Sequence, residues 1–340
     1  MGENIYHRVH QSIQEKHRAL DGWLETAPQP EKIRCVDCPN DSPVREHLHI
    51  LDESLQKADN GTLGVCEVCH GHVEEKVLEI DYTASICLDC LSEPERRRLE
   101  AELEFSSEIQ RALLPQQAPT IPGLEVGAFS RPAQIIGGDY FDFIRFGNGA
   151  YGLVIADVMG HGVSASLLMS SLQTALQTLI PDADSSAEVI QRVNRYYLHN
   201  VNLTTFVTVF LGQFDPGQYT LSYCNAGHNP PLLYQAQPGQ AVWLKPTGAA
   251  VGLVEEYKLR VEQVLLRPGD LVLLYTDGVT EAVDAQGEPF GQERLVRLVA
   301  QNADRSAQEI VSALRIGLED FIGTAALADD VTLVVCKVSG

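Results

Sequence analysis

Four separated acidic motifs in the C-terminal two-thirds of the chain constrain its fold more than any other feature. They read Gly137-Gly138-Asp139-Tyr140, Ala156-Asp157-Val158-Met159-Gly160-His161-Gly162, Tyr275-Thr276-Asp277-Gly278 and Asp329-Asp330-Val331-Thr332. Each sets an Asp at the end of a strand-like apolar run, beside glycine or a second acid. A single Asp-Gly is ordinary turn chemistry. Four such ends in one domain can converge, and carboxylates that meet at close range cannot all stay ionised without a cation. Hard oxygen ligands of this kind select magnesium or manganese over zinc. The pattern therefore predicts a metal-dependent phosphoryl-chemistry site.

The runs that carry these motifs alternate with helices. Strands are expected at Val126–Ser130, Tyr140–Arg145, Tyr151–Asp157, Thr205–Phe214, Tyr219–Cys224, Leu232–Tyr234, Leu259–Leu266, Leu271–Tyr275 and Thr332–Lys337. Asp215-Pro216-Gly217-Gln218 reads as a hairpin turn. Val163–Leu179 has Leu167, Leu168, Leu172, Ala175, Leu176 and Leu179 on one helical side. Ser185 and Glu188 have the spacing of a capping box for the next helix. Arg294–Ala300 and Ser306–Phe321 complete the helices. Runs of strands with segregated helices predict an α+β domain of packed sheets.

Six of the eight cysteines precede residue 91, as three Cys-x-x-Cys pairs. Cys66/Cys69 and Cys87/Cys90 have the spacing of a four-thiolate zinc site, which holds together a module too small to fold on its own core. Cys35 and Cys38 stay open between a second metal with outside ligands such as His47 or His49, a redox pair, and no function. Cys224 and Cys336, alone in strand-like runs, read as small buried apolar residues. Asn4–Glu25 and Val44–Asp59 look helical, the second with Leu48, Leu51, Leu55 and Ala58 on one stripe and Asn60-Gly61 as its C-cap. Together they suggest an αα-hairpin. Glu93–Leu114, bracketed by Pro94 and Pro115, is a charged helix with apolar Leu99, Leu103, Phe105, Ile109 and Ala112.

The formal net charge of −21 disfavours nucleic acid or an anionic membrane as the main partner, since both reward Lys and Arg. The apolar runs are far shorter than the roughly 20 residues of a membrane span. No basic segment followed by an apolar stretch opens the chain, so no secretory signal is expected. The expected location is the cytoplasm.

These motifs carry a family resemblance. The segments Ile109–Pro115, Gly137–Asp142, Asp157–Gly162, Asn225–Pro231, Thr276–Ala282 and Asp329–Thr332 stand in the order found in the SpoIIE-type serine/threonine phosphatases, a bacterial branch of the metal-dependent PPM phosphatases. The resemblance covers about residues 104–338. It implies an αββα four-layer sandwich over 116–340, joined by a regulatory helix at 93–115 to the zinc-finger module at 1–92. It also implies two Mg or Mn ions. Asp157 would bridge both, assisted by the Val158 carbonyl; Asp139 would hold the second, and Asp277 and Asp329 the first. Asp330 would orient a water or a third ion. Gly137, Gly138 and Gly278 would let the backbone approach the ions.

His161 would protonate the leaving oxygen or fix its loop, and His228 reads as structural. Arg131 is the nearest arginine for gripping phosphate. The implied partner is a phosphoprotein such as an anti-sigma-factor antagonist, with a homodimer formed through the linking helix. Residues 48–92 in turn resemble the DksA/TraR zinc finger. That likeness carries an alternative, an RNA-polymerase-binding regulator with a phosphatase fold, although that family's acidic tip has no residue-by-residue counterpart here.

Overall fold

The computed structural model describes residues 10, 13–14, 17–18, 21–22, 42–74, 77–78, 84–160, 162–200, 206–255, 257–323 and 327–339. It divides into two compact units, Met1–Ala101 and Glu102–Gly340.

Among the described residues the larger unit is built on ten strands. They are β1 (Leu124–Arg131), β2 (Asp139–Arg145), β3 (Tyr151–Val158), β4 (Val207–Asp215), β5 (Thr220–Ala226), β6 (Leu232–Gln235), β7 (Gln240–Trp243), β8 (Glu262–Leu265), β9 (Leu271–Tyr275) and β10 (Val331–Val338). Two antiparallel sheets result, ordered β1-β10-β9-β6-β7 and β2-β3-β4-β5-β8. The period-two alternation of a strand decides what each sheet faces. In β9, Val272 and Leu274 point between the sheets, where they meet Val334, Cys336, Leu153, Ile155 and Phe210. Leu271, Leu273 and Tyr275 point outward onto helices. Burial on both faces explains why Leu271–Tyr275 has no polar position.

Helices α3 (Gly162–Leu179) and α4 (Ser186–Asn200) cover the outer face of the second sheet. The short α5 (Asp277–Thr280) follows β9, and α6 (Gly291–Asn302) and α7 (Ala307–Ile322) cover the outer face of the first. The layers are therefore α, β, β, α, as the family resemblance implied. Ser306 caps α7 in a reciprocal box with Glu309.

Several expectations shift. The buried stripe of α3 is Ala165, Met169, Leu172 and Leu176, while Leu167 is 67% exposed. A step of one residue turns a side chain about 100° around a helix, so Leu167 leaves the stripe that the leucine count suggested. Strand β7 was not foreseen because its edge position leaves it mostly exposed and without alternation. Among the described residues one helical segment, Gly162–Asp182, is long and apolar enough to cross a membrane by length and composition. Its buried side chains pack on the sheet, which accounts for its apolarity.

In the smaller unit, α1 (Ser42–Asp59) places Leu48, Leu51, Leu55 and Ala58 against Ile13 and Leu63. His10 meets Asp59 at 3.4 Å and His17 meets Asp52 at 2.9 Å, so the described residues around Ile13 run antiparallel to α1. Gly61 takes φ 69° just after α1, the left-handed C-cap position. Cys35 and Cys38 lie outside the described residues. Helix α2 (Glu93–Leu113) has its residues from Glu102 onward in the larger unit.

Candidate active site

The register of the second sheet sets two of the acids side by side. Asp139 on β2 is the cross-strand partner of Asp157 on β3, and Asp157 is the partner of Thr208 on β4. By alternation from Phe141 and Ile155, both carboxylates lie on the face that looks at the first sheet. That sheet answers with hydroxyls. Thr276, just past β9, and Thr332 on β10 donate to Asp139 Oδ2 at 2.8 and 2.6 Å. Thr332 Oγ1 also lies 3.0 Å from Ser130 Oγ on β1. Asp139 is thus buried at the meeting of both sheets. Sequence reasoning missed Thr276 and Thr332 as its partners; their alternation with apolar Leu274 and Val334 was the available signal.

Asp330 does something different from its neighbour. Its Oδ1 accepts from Ala133 N at 2.7 Å, and its Oδ2 accepts from Gly138 N at 2.6 Å and Asp139 N at 3.4 Å. The carboxylate pins the 133–138 loop to the start of β10. Here the glycines matter. A Cβ on Gly137 would lie 2.1 Å from Asp330 Oδ2, and one on Gly278 would lie 2.0 Å from the Asp330 carbonyl oxygen. On Gly138 it would meet the Val158 carbonyl oxygen at 2.9 Å. The close approach these glycines allow is to Asp330 and to the Val158 carbonyl.

Asp277 opens α5, and Asp329 is exposed, its Oδ1 accepting from Asp330 N at 2.8 Å. Burial, then repulsion from Asp277, Asp329 and Asp330, pushes Asp157 up to about 8. Burial and the charge of Asp157 raise Asp139 well above the carboxylate range. Burial and Asp329 raise Asp277. Glu281, one turn beyond Asp277, adds repulsion to both Asp157 and Asp277. No lysine or arginine pairs with these acids among the described residues. An anionic all-oxygen set without a countercharge fits hard divalent cations.

His161 lies outside the described residues. His228 is buried, with burial lowering it to about 4. Its Nε2 is 3.2 Å from the Tyr275 carbonyl and its Nδ1 is 2.9 Å from Thr208 Oγ1. A neutral ring donating from Nε2 and accepting at Nδ1 satisfies both. His228 therefore ties β4 to the end of β9, beneath the acids. Arg131 is exposed and pairs in register with Val331. Alternation from Ser130 turns it away from the face that carries Asp139. Asp142 is also turned away; Tyr140 and Gln177 donate to it at 2.5 and 2.6 Å.

One contact reaches the site from α2. Gln110 Nε2 donates to the Gly137 carbonyl at 2.5 Å, and Gly137 N donates to Gln110 Oε1 at 3.0 Å. The amide reads both backbone groups of the residue next to Gly138.

The family model for Stage II sporulation protein E (SpoIIE) matches residues 147–339. The chain belongs to this family. Phosphoserine phosphatase RsbU of Bacillus subtilis (strain 168) is 29% identical over 245 residues, 71% of this chain and 71% of that protein. Phosphoserine phosphatase RsbP of the same organism is 28% identical over 186 residues, 53% of this chain but only 45% of that protein. In fold, the SiaA-PP2C domain of Pseudomonas aeruginosa superposes with a TM-score of 0.64 at 22% identity, over 72% of this chain and 99% of that domain. This member of the SpoIIE family is a protein serine/threonine phosphatase of the PP2C type, a metal-dependent class.

A second candidate metal centre sits in the smaller unit. The Sγ atoms of Cys66, Cys69, Cys87 and Cys90 all lie within 4.8 Å of one another, and no other His, Cys, Asp or Glu group among the described residues is as tight. The first pair sits on a knuckle closed by Cys66 N to Gly71 O at 2.8 Å and His70 N to Cys66 O at 2.9 Å. The second sits on a short 3-10 turn, Leu88–Cys90. Backbone N–H groups of Cys69 and Cys87 lower Cys66 to about 6, while the neighbouring thiols raise Cys90. Four thiols this close cannot all ionise alone, and a soft-ligand tetrad of this kind fits zinc.

Proposed function

We propose that the chain dephosphorylates a serine- or threonine-phosphorylated signalling protein, an anti-sigma-factor antagonist or a protein of that kind. The observation that carries this reading is the convergence of Asp139, Asp157 and Asp277 at the facing ends of two sheets without a countercharge. The relative RsbU, named a phosphoserine phosphatase, supports the substrate class.

In this reading Asp157, assisted by the Val158 carbonyl, would take part in holding both of two Mg or Mn ions. Asp139 would hold the second, and Asp277 and Asp329 the first. Bound ions supply a water of lowered pKa and offset the charge on the phosphoryl oxygens. The protein's own part is placement. Thr276 and Thr332 fix the Asp139 carboxylate and leave one oxygen for a ligand. Asp330 holds the loop that carries Gly138. His161 is the proposed proton donor to the leaving oxygen.

The four cysteines hold one zinc in this reading, and the module they close regulates the catalytic unit through α2. The Gln110–Gly137 pair supports that route, because a shift of α2 pulls on the residue two before Asp139. Phe105 and Ile109, 63% and 49% exposed on α2, give two copies an apolar stripe on which to pair. A zinc thiolate centre fits the reducing cytoplasm. The deciding test is phosphate release from a serine-phosphorylated antagonist. Release that needs manganese and stops with EDTA supports the reading; no release at any metal concentration overturns it.

A further inference from the structure

On the outer side of the second sheet, outside the acidic centre, the two covering helices leave a groove. Helices α3 and α4 run antiparallel: Tyr197 Oη donates to the Leu168 carbonyl at 2.9 Å, and Ser171 Oγ donates to Tyr196 Oη at 3.1 Å. Further along, the pair lines one cavity of about 720 Å³. Ala175 and Leu179 of α3, both partly buried against the core beneath, share i, i+4 spacing and give the groove an apolar floor. Arg192, Arg195, Tyr196 and His199 come from α4, and their spacing puts them on one helical face.

The charge in this groove has one sign. Helix α3 has no charged residue. Its Thr174 and Thr178 donate to the Ser170 and Thr174 carbonyls at 3.0 and 2.8 Å, so those hydroxyl protons are occupied within the helix. No acid among the described residues lines the cavity, and none stands between Val189 and Phe214 in the sequence. Arg195 has no carboxylate partner among the described residues. Arg192 meets Glu188 at 3.5 Å in an exposed i, i+4 pair, a kind worth little in water. Two guanidiniums one turn apart thus stand over an apolar floor, in a chain whose formal net charge is −21.

We infer that this groove docks an acidic amphipathic helix of a partner protein. Charge complementarity names the occupant. A chain this acidic repels an acidic partner as a whole, so a cationic groove on it both attracts such a partner and orients it. The floor supplies the apolar half of the match. Leucine-type side chains at i, i+4 meet Ala175 and Leu179, while carboxylates one turn apart meet Arg192 and Arg195, which share that spacing. Residues 171–179 extend about 12 Å along α3, room for roughly two turns of a third helix laid on the pair. The groove begins about 13 Å along α3 from Gly162, so a bound partner sits beside the catalytic end without entering it. Docking of this kind needs no phosphatase chemistry.

The test measures binding of fluorescein-labelled synthetic peptides to the full chain by fluorescence anisotropy. The probe is a helical peptide with leucine and glutamate on one face. Its controls are the same residues scrambled over all faces, and the same helix with lysine for glutamate. The acidic amphipathic helix is expected to bind at least about ten-fold tighter than either control, and to weaken as salt rises. Arg192→Glu together with Arg195→Glu is expected to weaken it about ten-fold and to tighten the lysine helix, at an unchanged melting temperature. An unfolded variant could not give that gain. Arg195→Gln, which keeps most of the stem, is expected to weaken the acidic helix about three-fold. No binding of the acidic helix, equal binding of the scrambled peptide, or no response to the arginine changes overturns the groove. Displacement of the peptide by ATP at micromolar concentration would make the occupant a small anion and overturn the helix.

Discussion

At the scale of single residues the centre is a store of like charge, and its variants should show that in two ways. We predict that Asp157→Asn lowers phosphate release at least about a hundredfold, because it removes an anion from a site that works by electrostatics. The same change should raise the melting temperature of the metal-free protein near neutral pH. Folded Asp157 titrates at about 8, against about 4 when unfolded. Between those values the folded chain keeps a proton that the unfolded chain has lost, so metal-free stability falls as pH rises, and Asn lacks that slope. His228 has the opposite sign. Buried at about 4 against about 6.5 unfolded, it costs stability as pH falls through that window, by about 3 kcal/mol in all. His228→Gln should flatten this part of a denaturation-versus-pH series; an unchanged slope would remove the buried neutral ring. The acids were legible in the sequence because each stands at a glycine-flanked strand end. Thr276 and Thr332 were not, since a hydroxyl inside an element announces nothing until its partner is known.

At the scale of elements, apolar runs marked nearly every strand, because sheets covered on both faces leave little room for polar positions. The elements that escaped notice lie where that pressure is absent: the exposed edge strand β7 and the single turn α5. The contact between α2 and the 133–138 loop was also invisible, since one glutamine in a charged helix looks like surface. We predict that Gln110→Ala weakens manganese binding by the catalytic unit and changes turnover of p-nitrophenyl phosphate several-fold, because two backbone groups beside the metal loop lose their partner. Isothermal titration with manganese and a rate measurement check this together. Equal affinity and equal rate would make the glutamine a bystander and leave α2 a passive tether.

At the scale of the molecule, the two units are stabilised by different means. Among the described residues the larger one has three apolar clusters; the smaller has two slight ones and a ring of thiols. We predict one zinc per chain by metal analysis. Cys87→Ser should lose it and loosen the smaller unit to proteolysis, while the larger unit keeps its resistance; zinc retained without all four cysteines would sink the assignment. The larger unit has its own dependency. Strand β10 lies between β1 and β9, and it carries Thr332 while Asp329 and Asp330 lead into it. Its bond from Thr332 to Ser130 joins positions 202 residues apart. Until that strand is laid in, β1 has no neighbour, Asp139 lacks a hydroxyl partner, and the 133–138 loop has nothing to hold it. A chain without β10 in place therefore has acids but no centre. The centre is assembled as a whole or not at all, and the insertion of one strand decides which.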